Sequence, residues 1–460
     1  MKFAHISKFI LLVSVLSLVG FGCKGLSAEQ KAAVKPVTVN YWTVYNDVGQ
    51  LQKLATDFHK LRPNITVNIR QVRYEEFDKL FTNALADDVG PDIISVHTRV
   101  LRSYLPRLVP MPKNVTVSSL VTTGKYIKDT SVISRDEALP TAREIRNQYV
   151  ASVPGDVLVG EAIYGLPLAF DTMALFYNKD LLDKAGIPEP PRNWGEFLSV
   201  VKKTTKFDKD GKIIQSGVAL GTGKNIEHAA DLLALLMLQN NVRVVEGNSV
   251  AFAAGLDKKP NLNQPVFEAL RFYTDFADPT KEAYAWNDTL GSAYDNFARG
   301  KSAFYFGFAY DLPRLKSSAP QMNLEVISVP QLNEGAPVNV ANYWVESVVK
   351  KSKHQNEAWD FVRFMASPDN VEKYTSAIRA PSPIRAQIEK QKSDQALAPF
   401  ASAVLVAQNW YRGRDLTLAN QALADLVDNY RRLAANPTPD GLKKVVGAVV
   451  DAARLIQQTM

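Results

Sequence analysis

The sequence predicts an α/β chain of two lobes, and three observations predict it. From residue 37, apolar runs of strand length alternate with segments whose apolar residues recur at helical spacing. A long apolar stretch at 164–187 is interrupted by one acidic residue, Asp171, and then turns into a helix, as a crossover between two halves would. At 460 residues the chain is also long enough to build two cores.

The chain opens with Lys2 and Lys8, then an apolar run over 9–21 that is too short for a comfortable membrane span, then Gly22-Cys23. This pattern predicts a secretory leader over 1–22. Cys23 is the one cysteine in the sequence, which excludes an internal disulfide and a cysteine-based metal site. Removing Lys2 and Lys8 with the leader takes the formal net charge from +7 to +5. That charge is mild and unclustered, whereas a nucleic-acid partner would require a basic stripe. Residues 23–36 form a polar, Ala-rich tether.

The first lobe is expected over 37–167. A strand at 37–42 is followed by Leu51, Leu54, Phe58 and Leu61 at helical spacing, a break at Pro63-Asn64, and a strand at 65–72. Phe77, Leu80, Phe81, Ala84 and Leu85 mark the next helix, and Pro91-Asp92 opens a strand at 93–96. Ligands of such parallel sheets sit beyond the carboxyl ends of strands. Trp42, Tyr45 and Asn46 follow the first strand, and His97, Thr98 and Arg99 follow the third. Residues 113–160 read as Ser/Thr-rich turns with one helix at 142–150, an insertion on this lobe.

The runs at 164–170 and 173–177 read as two buried strands with Asp171 at their joint. A carboxylate there needs a partner, solvent or a ligand. Asn178-Lys179-Asp180 then starts a helix that ends at Gly186 and Pro188. A helix at 194–204, a turn at 208–212 that fails the calcium-loop template, a strand at 216–220 and a strongly apolar helix at 226–239 follow. Gly300-Lys301-Ser302 is no phosphate loop, because Asp295 stands where that motif needs glycine.

Pro167-Leu168-Ala169-Phe170-Asp171, with Ala174-Leu175-Phe176-Tyr177-Asn178-Lys179-Asp180-Leu181-Leu182, resembles the signature segment of the family 1 extracellular solute-binding proteins. These are the maltose-binding-protein-like, sugar-capturing components of bacterial ABC importers. The unit 297–310 is similar to the family's helix-Gly-Lys-strand element, which delivers an aromatic to the cleft, here Tyr310. Residues 340–349 with Ser352-Lys353, the helix 357–365 with Ser367-Pro368, and the loop from Arg379 to Pro383 follow the family's order. The resemblance covers about 37–430.

It implies a two-lobe periplasmic-binding-protein fold with a hinge and an interlobe ligand cleft. The second lobe would take 168–338, the first lobe would regain 339–378, and 379–460 would close the second with amphipathic helices at 418–433 and 439–456. Thr438 would cap the last helix, and Leu442, Val445, Val449, Ala452 and Ile456 would form its core stripe. The implied function is capture of a mono- or oligosaccharide by a monomer and its delivery to the transmembrane subunits of an ABC permease, without cofactor or metal. Gly22-Cys23 resembles a bacterial lipoprotein processing site, with Gly20 where that motif has Leu. Lipid on Cys23 would then hold the protein at the outer face of the cytoplasmic membrane, or it would be periplasmic.

A sugar needs aromatic plates for its apolar faces and amides, carboxylates or guanidinium groups for its hydroxyls. Trp42, Tyr45, Asn46 and His97 offer these at strand ends, although Trp42 also suits a core. Asp171 and Tyr310 are the positions where the family places a binding acid and an aromatic. Trp286 precedes Asn287-Asp288 in a loop, Arg379 lies in the return loop, and Trp410 precedes a helix. Among Asn342, Tyr343 and Trp344, alternation predicts Trp344 toward the core and Tyr343 or Asn342 toward the cleft. Tyr177 belongs to the core. Other readings are a phosphorylated polyol, polyamine or peptide as cargo, a ligand-less surface lipoprotein, or an exported glycosidase. The last lacks an evident second cleft carboxylate and a Gly-x-Ser-x-Gly elbow.

Overall fold

The computed structural model describes residues 26–123, 129–256, 258, 262–434 and 440–460. The leader, Cys23, Thr438 and the Pro439 that would start the last helix lie outside them. No helix among the described residues is long and apolar enough to cross a membrane.

Two large sheets, each with its own core, organise the described residues, with three two-stranded ladders beside them. In the first, Ile93–His97, Val37–Thr43 and Ile65–Gln71 run parallel, and Trp344–Val348 returns antiparallel beside Ile93–His97 with Trp344 opposite His97. Leu51, Leu54 and Phe58 of the helix Val48–Leu61 are buried as their spacing predicts, and Asp47 caps that helix by accepting the Gln50 N–H (2.8 Å). Leu61, at the helix end, stays 55% exposed.

Residues 114–123 and 129–138 are not turns but an antiparallel pair of long strands, Asn114–Thr123 and Asp129–Ala138. Val115 and Val117 are buried at its base, and that β-branched alternation was the available signal. The expected helix at 142–150 is Ala142–Gln148, begun by a capping box between Thr141 and Glu144.

In the second sheet Asp171–Asn178 is central, antiparallel to Ser302–Phe308, Leu324–Ser328 and Asn339–Asn342. Ile213–Val218 continues the sheet parallel to Ser302–Phe308. The helix Ala229–Gln239 is buried on almost every side, as its composition predicts. Helices Leu416–Ala434 and Gly441–Gln457 pack on this core through Leu423, Leu426, Val445, Val449, Ala452 and Ile456, while Leu442 is 42% exposed rather than part of the stripe.

The joint at Asp171 differs from the expectation of two strands. Residues 164–170 form no strand beyond one bridge, Leu166 to Glu346, and the strand begins at Asp171 itself. Leu166, Leu168 and Phe170 belong to the first core, and residues from Met173 onward belong to the second. The chain therefore changes cores within three residues. It returns where Asn339–Asn342 pairs Asn342 with Asp171 and Trp344 opens the first-sheet strand. Ile384 and Ile388, which the expected boundary at 379 puts with the second lobe, pack in the first core. The strand Ala407–Gln408 lies parallel to Asn339–Asn342 at the same seam.

Candidate functional site

The crossings leave a cleft between the carboxyl end of the first sheet and the near edge of the second. The wall on the first lobe is aromatic. Trp344 holds its place because it pairs with His97 across the sheet, and their rings meet edge-on at 5.2 Å. Tyr45, 66% exposed in the loop after the first strand, meets Trp344 at 5.4 Å, and Tyr74 meets both rings at 6.1 Å. Ring pairs of this kind hold one another as a rigid apolar plate.

Beneath the plate, polar groups are used up. Buried Glu346 accepts from Tyr41 Oη (2.5 Å), Ser95 Oγ (2.7 Å) and Asn46 Nδ2 (2.8 Å), and burial raises its carboxyl above the usual range. Asn46 Oδ1 accepts from Tyr374 (3.2 Å). Asn46 therefore fixes the loop that carries Tyr45, and both ends of its amide are engaged. His97 is 5% exposed. Its Nδ1 accepts the Arg99 backbone N–H (3.2 Å), so its Nε2 is the nitrogen that donates to Asn342 Oδ1 (2.8 Å). Burial and the Arg99 charge pull it down to about 4, so it is neutral at pH 7. It orients Trp344 and Asn342.

The wall on the second lobe is built on Asp171. Its Oδ1 accepts the N–H groups of Thr172 and Ala309 (both 2.8 Å), and its Oδ2 accepts that of Tyr310 (3.3 Å). Burial nonetheless pushes the carboxyl up to about 7, helped by the neighbouring Asp311 and opposed by those three donors. Asp171 thus presents Tyr310, and its Oδ2, which accepts the one N–H of Tyr310, has a second lone pair. Tyr310 is 49% exposed, stacks on Phe308 at 5.9 Å, and has the His228 ring 6.3 Å away. His228 Nε2 faces buried Asp311 at 3.4 Å. Burial lowers the His228 pKa, but the hydrogen bond and charge of Asp311 outweigh it and hold the imidazole above its ordinary value. Burial pushes the Tyr310 hydroxyl well above its ordinary value, and Asp311, Asp171, Asp231 and, from the first lobe, Tyr45 are near enough to add to it.

Several expected contacts belong elsewhere. Trp286 is fully buried in the second core, with its indole N–H on Asn225 Oδ1 (3.1 Å) and its backbone N–H held by the Phe276 carbonyl (3.1 Å). Trp42 is 8% exposed in the first core with Arg70 over its ring at 4.8 Å. Tyr343 is 2% exposed, stacked on Phe170 at 4.5 Å and bonded to Asp156 Oδ2 (2.5 Å), so alternation holds but its phase is inverted and Trp344 takes the cleft side. Trp410 is 2% exposed and gives its N–H to Asp231 Oδ1 (2.7 Å). Arg379 is the left-handed C-cap of helix Pro368–Ile378 (φ 54°), exposed at the surface. Sequence reasoning missed Tyr74 and His228. Each stands at the start of a helix beside the cleft, and that position was the available signal. Among the described residues no group of three or more His, Cys, Asp or Glu could hold a metal ion.

A family model described as bacterial extracellular solute-binding protein matches residues 53–400. A multiple sugar-binding protein of Streptococcus mutans is 23% identical over 412 residues, which cover 87% of this chain and 88% of that protein. A cyclo/maltodextrin-binding protein complexed with maltotetraose superposes with TM-score 0.69 at 15% identity, covering 93% of this chain and 98% of the other. An ABC transporter solute-binding protein from Thermotoga lettingae, bound with α-D-tagatose, gives TM-score 0.63 at 18% identity, covering 91% and 99%.

Proposed function

Because this chain belongs to the family of bacterial extracellular solute-binding proteins, we propose that it captures a neutral carbohydrate between its lobes and delivers it to an ABC permease. The observation that carries this reading is the opposition of the Tyr45–Tyr74–Trp344 plate to Tyr310 and Asp171. A sugar ring would lie against the aromatic faces, its hydroxyls donating to Asp171 Oδ2 and sharing the Tyr310 hydroxyl. Family and fold are those of binding proteins, and capture requires no bond to be broken. A ligand that touches both walls favours the closed arrangement by its differential affinity, with the three adjacent crossings as hinge.

The relatives named for sugars and for ABC transport support the same reading. Lipid on Cys23 would keep the protein beside its permease, since two acyl chains anchor where one does not. Micromolar capture corresponds to about −8 kcal/mol.

Thermal unfolding against mono- and oligosaccharides, polyols, sugar phosphates and polyamines tests the cargo. A ligand at a hundred times its dissociation constant adds about 2.7 kcal/mol of stability. Stabilisation by neutral sugars, lost in Tyr310→Ala, is expected. Stabilisation by polyamines or sugar phosphates alone would replace the carbohydrate reading.

A further inference from the structure

The buried Arg99 guanidinium joins the lobes. Arg99 follows the first-sheet strand Ile93–His97 and is 3% exposed. Its Nη2 donates to the Ala341 carbonyl (2.7 Å) and its Nε to Asn409 Oδ1 (3.2 Å), both on segments at the seam. Its Nη1 lies 2.7 Å from Asp231 Oδ1, in the first turn of the second-lobe helix Ala229–Gln239. The Trp410 ring covers the guanidinium at 5.2 Å while its indole N–H donates to that same carboxylate oxygen.

We propose that Arg99 is a positioning residue for solute capture, whose ion pair with Asp231 sets the separation of the two walls. The inference rests on the capture reading but concerns the protein before any solute arrives. The pair joins the walls by short covalent paths. Two residues before Arg99 stands His97, against which Trp344 packs, and three residues before Asp231 stands His228, against which Tyr310 packs. Any rotation that opens the cleft about the seam moves the start of helix Ala229–Gln239 relative to Arg99. Partial opening would leave two charges desolvated and apart, which is strongly disfavoured, so the pair is kept intact or fully wetted. Asp231 also lies in the first turn of its helix, where the N-terminus favours negative charge. Arg99 is already committed to the seam by two other hydrogen bonds, so the freedom left in this contact is that of the helix.

Pulsed dipolar spectroscopy tests this without solute. Spin labels are placed at Gln52→Cys on the first-lobe helix Val48–Leu61 and Lys203→Cys on the second-lobe helix Trp194–Thr204, in the chain carrying Cys23→Ser. The unmodified pair is expected to give one narrow interlobe distance, Asp231→Asn a broader and longer distribution, and Asp231→Glu a return toward the narrow one. The double change Arg99→Leu with Asp231→Leu leaves no buried charge behind and carries the same expectation if Asp231→Asn does not fold. An unchanged distribution in a folded Asp231→Asn or in the double variant overturns the inference. Broadening in a protein that maltotetraose does not stabilise would support the tether while counting against maltodextrin as cargo.

Discussion

Trp344 and Tyr343 are neighbours with opposite environments, and the difference lies in which face of the strand meets a partner. Trp344 pairs with His97 and turns to the cleft, while Tyr343 finds Phe170 and Asp156 behind it. Alternation was legible in the sequence, but its phase was not, because both residues are aromatic and either could fill a core. Replacing the half-buried Trp344 ring or the exposed Tyr310 ring should therefore cost binding: Trp344→Ala and Tyr310→Ala are each expected to weaken sugar affinity about tenfold or more, about 1.4 kcal/mol. Calorimetric titration with the sugar that stabilises the protein would show it. His97 makes a different prediction. Its folded value of about 4 lies below its ordinary 6.5, so the stability it contributes is complete above pH 6.5 and is lost as pH falls through about 4. At about 1.36 kcal/mol per pKa unit the loss approaches roughly 3 kcal/mol. Denaturant melts from pH 7 to pH 4 should fall more steeply for the native chain than for His97→Gln. Asp171 runs the other way. Its folded value of about 7 lies above its ordinary 3.8, so its contribution is complete below pH 3.8 and declines as pH rises through about 7. Asp171→Asn, which mimics the protonated acid, should lose less stability than the native chain between pH 5 and 8. Ligand hydroxyls that donate to the carboxylate favour its ionised form, so sugar affinity of the native chain should rise with pH through about 7, and this rise should vanish in Asp171→Asn.

At the scale of elements, periodicity was most informative where one pattern dominated. The helix Ala229–Gln239 is apolar nearly all round and lies buried between the second sheet and helices Pro265–Asp275 and Leu416–Ala434. Leu235→Ala should cost about 2–5 kcal/mol, read as a lower urea midpoint with an unchanged slope. The strand pair Asn114–Thr123 and Asp129–Ala138 was not legible because most of its residues are polar. Its base is secured instead by long-range contacts: Glu137 pairs with Arg62 and Arg363, and the Thr116 backbone exchanges two hydrogen bonds with Asn356. No local window of sequence contains those partners.

For the molecule as a whole, the crossings decide function. Asp171, Asn342 and the segment around Ala407 lie side by side, so rotation about one seam moves one aromatic wall against the other. Small-angle scattering is expected to show a smaller radius of gyration on addition of the stabilising sugar, and no change would remove hinge closure from the reading. Acyl anchoring at Cys23 predicts that the exported protein floats with vesicles and that Cys23→Ser does not. The amino-acid sequence by itself determined the alternation of strands and helices, the apolar helices, the crossover at Asp171 and the family, because hydrophobic periodicity and short contiguous motifs are local properties of the chain. Only the tertiary structure decided that Trp286, Trp42 and Trp410 are enclosed while Tyr45, Tyr74 and Trp344 form a wall, that Asp171 holds the backbone of Tyr310, and that Arg99 reaches Asp231. Those choices depend on which side chains, hundreds of residues apart, arrive at the same face of a sheet, and burial there is settled by packing rather than by residue type.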